Sequence, residues 1–388
     1  MENDSAKIAI KINGQLTKPV HVKNVEMQGN VWGSLKCTTT MDQLNKSILQ
    51  QKELVYNYRG DNNIPIGVLG MVDDTLSISK CGISSIQKNA VINSFAETQR
   101  LTLSNTKSVV LHIGRKTKCQ HSCPTLKVHQ SVMKEVTSAK YLGDIITVSG
   151  GAKESIEDCR SKGWGKVANM CGILSELPSD HRVKICLKMR DAKLANGMLF
   201  STEAWSSITD REMDRIEQVD LALFRTLMDG HSKCSKVFTY LEFGLLSFRH
   251  LITIRRLMFH QHILARGDDE TIKKVYMKQK EHNTKGDWIQ MLRQDFEFIQ
   301  VDMDENKIIS YPKEEYRKII RQQVEASAFK SYMQLKERSK KKMKNLVYEK
   351  INIQAYLRLD TFSLKEKKVT LCPKVKLLQG KTEFQKNL

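Results

Sequence analysis

The amino-acid sequence predicts an α+β fold in which mixed strands and helices precede a mostly helical remainder. Short apolar or alternating runs, which are typical of strands, are concentrated in residues 1–150. After Gly150 and Gly151, apolar residues recur three and four apart, as on the buried face of a helix. We therefore predict a mixed segment (1–150), a helical segment (151–266) and a basic helical extension (267–388).

Two consecutive aspartates are predicted at the tip of a β-hairpin in the mixed segment. Residues 66–72 form an apolar run, and residues 75–79 alternate between apolar and polar side chains. Asp73 and Asp74 lie between these runs. Two such runs joined by a short polar link are typical of antiparallel strands and their turn.

The same periodicities predict the remaining elements. Further strands are expected at residues 54–58, 109–113 and 141–146. Helices are expected at residues 41–48, 83–95, 155–174, 181–194, 209–228, 248–265 and 316–336, with a short one around Trp288. Ile83, Ile86 and Ala90, with Val91 and Phe95 alongside, give the second helix its apolar side. Thr209 is a candidate N-cap for the helix that follows it.

The charge of the chain points to a polyanionic partner. Lys and Arg number 63 against 43 Asp and Glu, so the formal net charge is +20. Half of this surplus lies in the last 88 residues. An uneven basic excess is typical of proteins that bind nucleic acid. A solvated, highly charged helical surface is the alternative.

Composition excludes several protein classes and indicates a compartment. Six prolines and 40% apolar residues exclude collagen-like and wholly disordered chains. No run approaches the roughly 18 apolar residues of a membrane span, and Glu2 and Asp4 precede any apolar run, unlike a secretory signal. Nine scattered cysteines suit reduced thiols. We expect an intracellular protein with no membrane partner, in the nucleus or the cytoplasm.

Paired carboxylates at a hairpin tip suit a divalent metal ion. Adjacent like charges repel one another, and Mg²⁺ prefers hard oxygen ligands. In nucleotidyl transfer, two Mg²⁺ ions about 3.5–4 Å apart activate the attacking hydroxyl and stabilise the leaving group. The alternative is an ordinary Asp-Asp turn, because aspartate is frequent in turns.

The motifs around this hairpin resemble those of reverse transcriptases. Residues 28–35 resemble the glutamine-glycine motif B that precedes the family's Asp-Asp hairpin, residues 101–109 resemble motif D, and residues 140–143 resemble motif E. Residues 201–205 and 225–227 resemble signatures of the thumb. The order of these motifs over residues 20–300 is most similar to non-LTR (LINE-like) retrotransposons. The resemblance implies a partial polymerase palm, an antiparallel sheet with helices, in residues 1–150 and a helical thumb in residues 151–266.

The resemblance also implies roles for the motif residues. Asp73 would bind the metal, Asp74 would be a second carboxylate of the same site, and both would be catalytic with Mg²⁺ as the cofactor. Lys107 would lie near the nucleotide phosphates, with a solvated loop lysine as the alternative. Gln28 and Gly29 would line the nucleotide pocket, since glycine lets a base or sugar approach the backbone.

The implied partners are an RNA template and a DNA primer, or another nucleic acid. Tyr141, Leu142 and Gly143 would hold the primer end. Phosphate contacts are expected from five basic residues: Arg255, Arg256, Lys340, Lys341 and Lys342. Two alternatives stay open, because the helical segment suits an ordinary bundle with charged outer faces and the lysine run suits a nuclear import signal or a charged linker.

The family's third carboxylate has no counterpart in this sequence. It lies in motif A, on a separate strand upstream of motif B. Only 27 residues precede Gln28, and Asp4 is the sole aspartate among them. We therefore expect a fragment of a reverse transcriptase that is inactive alone, because a lost metal ligand removes transition-state stabilisation. The alternatives are a non-enzymatic, sequence-independent nucleic-acid-binding module and a helical interaction protein.

Overall fold

The computed structural model describes residues 7–21, 31–113, 125–227, 236–301 and 304–339. The described residues form a mixed α+β structure in which helices predominate, so the predicted class is confirmed at this level. The chain divides into two compact units, unit 1 (Met1–Leu142) and unit 2 (Gly143–Leu388).

Unit 1 combines two helices with short strands. The helices are α1 (Val31–Leu49) and α2 (Gly82–Thr98). The strands are β1 (Lys7–Ile8), β2 (Lys11–Ile12), β3 (Gln15–Leu16), β4 (Val20–His21), β5 (Tyr56–Asn57), β6 (Pro65–Ile66), β7 (Val68–Met71), β8 (Asp74–Ser77), β9 (Val109–Leu111), β10 (Lys127–Val128), β11 (Ser131–Val132), β12 (Lys134–Val136) and β13 (Ser138–Tyr141).

The strands of unit 1 form small two-stranded ladders within the described residues. Five pairs are antiparallel: β1–β4, β2–β3, β5–β6, β7–β8 and β10–β11. The pair β9–β12 is parallel, with Val110 opposite Glu135. The expected antiparallel pairing is therefore present as separate ladders.

The core of unit 1 is small. Leu44 and Ile48 of α1 pack with Leu54 and Val68, and all four side chains are buried. This confirms the helical spacing predicted around residues 41–48. A small apolar core leaves the position of β7 dependent on polar contacts as well.

The prediction of one continuous strand over residues 141–146 is wrong. β13 ends at Tyr141, and the next strand, β14 (Asp144–Thr147), begins at Asp144. Between them, Leu142 and Gly143 have φ angles of 49° and 89°. This left-handed backbone makes a tight turn. An apolar run does not predict such a turn, because leucine seldom adopts the left-handed conformation.

Unit 2 is built from helices that follow β14. They are α3 (Lys153–Glu176), α4 (Ser179–Met189), α5 (Asn196–Met198), α6 (Asp210–Leu227), α7 (Lys236–Glu242), α8 (Phe248–Leu264), α9 (Thr271–His282), α10 (Trp288–Ile299), α11 (Glu305–Ser310) and α12 (Lys313–Ser339). A six-residue π-helical turn, Arg190–Ala195, connects α4 to α5. A π-helical turn contains one more residue than the α-helical geometry requires.

The two main apolar clusters of unit 2 meet at α8. Phe248 and Ile252, near its start, pack with α3 and α6, whereas Leu257 and Ile263 pack with α9, α10 and α12. The expected boundary at residue 266 therefore falls inside one compact unit.

The predicted N-cap of α6 is present. The Oγ1 atom of Thr209 accepts a hydrogen bond from the Glu212 backbone N–H at 3.3 Å, and the Glu212 carboxylate accepts one from the Thr209 N–H at 2.8 Å. These reciprocal bonds form a capping box that fixes where the helix begins.

A buried ion pair anchors the π-helical turn to α6. Nε and Nη2 of Arg190 donate to the two carboxylate oxygens of Asp220 at 2.8 and 2.7 Å. Arg190 also donates to the Leu246 carbonyl at 2.7 Å. The two charged side chains are 2% and 0% exposed, so each compensates the other away from water.

Replacing one partner of this pair is expected to destabilise unit 2 strongly. Asp220→Ala removes the buried counter-charge of Arg190 and leaves it only the exposed Asp191, which costs about 3–5 kcal/mol. Urea unfolding of the full chain, followed by tryptophan fluorescence, measures the loss. Asp210→Ala is the matched control on the same helix, because its ion pair with Arg249 is exposed and contributes at most about 1 kcal/mol. Equal effects of the two changes would contradict the prediction.

Candidate functional site

The two aspartates occupy the predicted hairpin. Met71 of β7 pairs with Asp74 of β8, so Val72 and Asp73 form the two-residue turn. Val72 has a φ of 55°, which suits the tight reversal. Both carboxylates are exposed. The hairpin is therefore confirmed, although its turn is Val72-Asp73 and Asp74 is the first residue of β8; the metal-binding role of its carboxylates stays a prediction.

Two further side chains border the turn. The Cys37 thiol of α1 donates to the Val72 carbonyl at 2.9 Å, and the Tyr141 hydroxyl of β13 donates to the Leu69 carbonyl at 3.3 Å. Burial and then the charge of Asp73 raise the pKa of Cys37. Burial and then the charge of Asp74 raise the pKa of Tyr141. Tyr141, expected near the primer end, thus lies beside the hairpin.

A buried lysine of α2 supports the hairpin at both ends. Lys88 is 0% exposed. Its Nζ donates to the Gly67 carbonyl before β7 at 3.1 Å and to the Ile78 carbonyl after β8 at 2.6 Å. Burial lowers the pKa of Lys88 to about 8. The amine therefore ties the two strand ends together, and neutral or charged it keeps enough N–H groups for both bonds.

α1 holds the same segment from a second side. The side-chain oxygen of Asn45 accepts a hydrogen bond from the Val68 backbone N–H at 3.1 Å. A Cβ atom at Gly67 would lie only 2.5 Å from that oxygen and 3.3 Å from the Asn45 carbonyl. Glycine at this position permits the close approach of β7 to α1.

Lys88 was not predicted because the apolar side expected for α2 is wrong: Ile83, Ile86 and Ala90 are all exposed. Ile83 and Ile86 are 71% and 49% exposed, whereas Val91 and Phe95 pack against the core. Lys88 lies on the same side as Phe95, seven residues earlier, and a lysine on that side of a helix was the available signal.

The other predicted residues of unit 1 are less closely associated. Lys107 is exposed in the turn before β9, and none of the ion pairs between described residues joins it to the hairpin. Leu142 and Gly143 form the turn after β13. Gln28 and Gly29 lie outside the described residues, as do Lys340, Lys341 and Lys342 of the extension.

The prediction that Arg256 contacts phosphate is corrected. This side chain of α8 is 1% exposed and forms an ion pair with Asp295 of α10, and its Nη2 donates to the Trp205 carbonyl at 3.2 Å. The charge of Arg256 is therefore paired inside unit 2 with the carboxylate of Asp295. Arg255 is half-buried and donates to the Leu199 carbonyl at 2.9 Å and to the Asn196 side chain at 3.1 Å.

The hairpin offers two of the carboxylates that a two-metal centre needs. Among the residues that the structure describes, no group of three or more His, Cys, Asp or Glu side chains is placed to hold one ion. Adjacent exposed carboxylates do suit a hydrated Mg²⁺, which keeps several waters and takes one or two protein carboxylates. The residues present therefore fit a weakly held ion.

Comparison with known proteins adds no assignment. No protein-family model matches the chain, and neither does any curated protein. In the described ranges, no helix has both the length and the apolar character needed to cross a bilayer.

The buried amine of Lys88 is expected to make unit 1 more stable as pH rises above 8. The folded state releases the proton near pH 8, whereas the unfolded chain holds it until about pH 10.4. The contribution of Lys88 to stability is therefore lowest below pH 8 and increases up to about pH 10.4, by at most about 1.4 kcal/mol per pH unit.

Urea unfolding from pH 7.5 to 10.5, followed by circular dichroism, tests this trend. Lys88→Met removes the titrating group and keeps most of the apolar stem, so the difference in unfolding free energy between wild type and variant should change across this window. Lys80→Met, an exposed lysine of the same unit, is the control. If the difference in unfolding free energy between wild type and K88M stays constant with pH, a depressed pKa at Lys88 is ruled out.

Proposed function

We propose that this chain is the palm-and-thumb portion of a reverse transcriptase of the non-LTR retrotransposon type. The observation that carries the proposal is the Asp73-Asp74 hairpin, supported at both ends by Lys88 and bordered by Tyr141. The motif order along the sequence is the second support. Within this proposal, the partners are a template strand and a primer.

Asp73 and Asp74 would hold Mg²⁺ at the turn of the hairpin. The metal, when bound, would activate the primer 3′-hydroxyl and neutralise charge on the leaving pyrophosphate. The protein's own contribution is to present both carboxylates on a backbone fixed by Lys88 and Asn45. Two carboxylates without a third are expected to bind the ion weakly and to support little or no polymerisation.

Sequence-independent binding of nucleic acid is the second candidate function. The net charge of +20 favours it, because lysine and arginine contacts to phosphates carry affinity without sequence information. This function needs neither a complete metal site nor primer extension. The two candidates therefore predict different consequences of changing the hairpin.

Metal binding at the hairpin is tested with Mn²⁺, which accepts the same oxygen ligands as Mg²⁺ and is paramagnetic. Water-proton relaxation of the full chain should reveal weak, saturable binding that Asp73→Asn reduces at least about tenfold, since a charged ligand is lost. Asp42→Asn, on the exposed face of α1, is the matched control and should bind as wild type does. Unchanged Mn²⁺ binding in D73N would remove the metal role from the hairpin.

Template-primer extension with Mg²⁺ separates the two candidate functions. Any incorporation that D73N abolishes and D42N preserves would support the polymerase. An absence of incorporation, together with retained duplex binding in D73N, would favour the binding module.

Binding of duplex is expected to depend steeply on salt. The logarithm of the association constant should fall linearly with the logarithm of salt concentration, with a slope steeper than about −4 if five or more phosphates are neutralised. Replacing Lys340, Lys341 and Lys342 by Gln should flatten the slope by about 2–3. The control replaces three exposed lysines of unit 1 (Lys7, Lys11 and Lys18) in the same way. A shallow wild-type slope would contradict phosphate-driven binding.

A further inference from the structure

A cleft in unit 2 lies between α3 and the π-helical turn. Its volume is about 490 Å³, within the range of small-molecule sites. α3 contributes one wall, and the segment from Met189 to Gly197 contributes the other. The hairpin carboxylates belong to unit 1, so this cleft is a separate feature of the chain.

The charge lining the cleft is positive. Lys166 and Lys193 both line it, and none of its lining residues carries a carboxylate. Lys166 Nζ donates to the Lys193 backbone carbonyl at 3.3 Å. Neither ammonium belongs to an ion pair between described residues. Two lysines that line one cleft, neither with an ion-pair partner among the described residues, favour a ligand with about two negative charges.

The rest of the lining is apolar with amide groups at its edge. Met170 is buried, Ile173 is 44% exposed, and Met189 lies beside them. Methionine thioethers pack favourably against flat rings. Asn169 and Asn196 add amides that can donate and accept hydrogen bonds. This combination suits a ligand with both a planar ring system and a phosphate.

Contacts outside the cleft fix the segment that forms one of its walls. Arg190, at the start of the π-helical turn, is fixed by its buried ion pair with Asp220. Arg255 donates to the side-chain oxygen of Asn196, which leaves the nitrogen of that amide as a donor. π-helical turns occur frequently at functional sites, because the extra residue re-aims the neighbouring groups.

Gly197 leaves room for the ammonium of Lys166. A Cβ atom at this position would collide with the Nζ of Lys166. Since that atom is the end of a flexible side chain, Gly197→Ala is expected to displace the ammonium without disrupting α5. The glycine therefore offers a way to change the cleft while keeping its charge.

We propose that this cleft binds a nucleoside monophosphate, with the phosphate on Lys166 and Lys193 and the base against Met189 and Ile173. The group could come from a free nucleotide or from the 5′-phosphorylated end of a strand, and both present the same chemistry. The proposal does not rest on the polymerase activity proposed above, because the lining residues alone carry it.

Isothermal titration calorimetry of the full chain tests the proposal with AMP, adenosine and inorganic phosphate. AMP should bind at least about tenfold more tightly than either of the other two, because only AMP engages the cations and the apolar wall together. Equal affinity for AMP and inorganic phosphate would overturn the role of the apolar wall. No AMP binding at millimolar concentration would overturn the proposal as a whole.

Variants locate the site. Lys166→Gln and Lys193→Gln should each weaken AMP binding at least about tenfold, since each removes a charge-assisted contact. Lys184→Gln removes an exposed lysine of α4 that does not line the cleft, and it should bind as wild type does. G197A should also weaken binding. Equal losses in K166Q and K184Q would show that only the overall charge matters, and would overturn the site.

Two oligonucleotides that differ only in a 5′-phosphate separate the sources of the ligand. Preference for the phosphorylated strand that K166Q abolishes would identify a strand end, whereas binding of AMP without that preference would identify a free nucleotide. Either result supports the cleft. Asp73→Asn should leave AMP binding unchanged, so failure of the cleft and failure of the polymerase proposal remain distinguishable.

Discussion

Unit 1 depends on a buried cation that is bonded to backbone carbonyls rather than to a carboxylate. Lys88 contributes two hydrogen bonds to the segment that carries the paired acids, one on each side of the hairpin. Burying an ammonium is costly unless its donors are satisfied, so the bonds to Gly67 and Ile78 are necessary for its burial. The small apolar core around Leu44 gives the hairpin little other support. The position of Asp73 and Asp74 therefore depends on Lys88 of α2 together with Asn45 and Cys37 of α1.

The positive charge of the chain is used in two different ways. Arg190, Arg256 and Lys88 are buried and hydrogen-bonded inside their units, where they fix a π-helical turn, a helix pair and a hairpin. Lys166 and Lys193 line a cleft without carboxylate partners among the described residues. The number of basic residues does not distinguish these uses, because a buried arginine and an open lysine each add +1. The distinction decides which basic residues are available to an anionic ligand.

Local sequence patterns predicted the features that local interactions determine. The hairpin follows from two β-like runs with a polar link, and the start of α6 follows from the spacing of Thr209 and Glu212. The strand over residues 141–146 failed because its turn places Leu142 in a backbone region that leucine disfavours. Arg256 was misassigned because its partner, Asp295, is distant in sequence. The spacing of Lys88 and Phe95 places the lysine on the packed side of α2, but its carbonyl partners and the cleft arise from tertiary packing, which periodicity does not encode.

The π-helical turn makes the chain tolerant of one kind of change and sensitive to another. Loss of one residue between Arg190 and Ala195 would let the segment revert to regular α-helical hydrogen bonding, so helicity itself would survive. Each residue of an α-helix turns the chain by about 100°, so the same loss would rotate the residues before the deletion relative to those after it. With Asn196 kept in place, Arg190 would then no longer face Asp220. Segment length at this turn, more than residue identity, would then separate related chains that retain the cleft from those that have lost it.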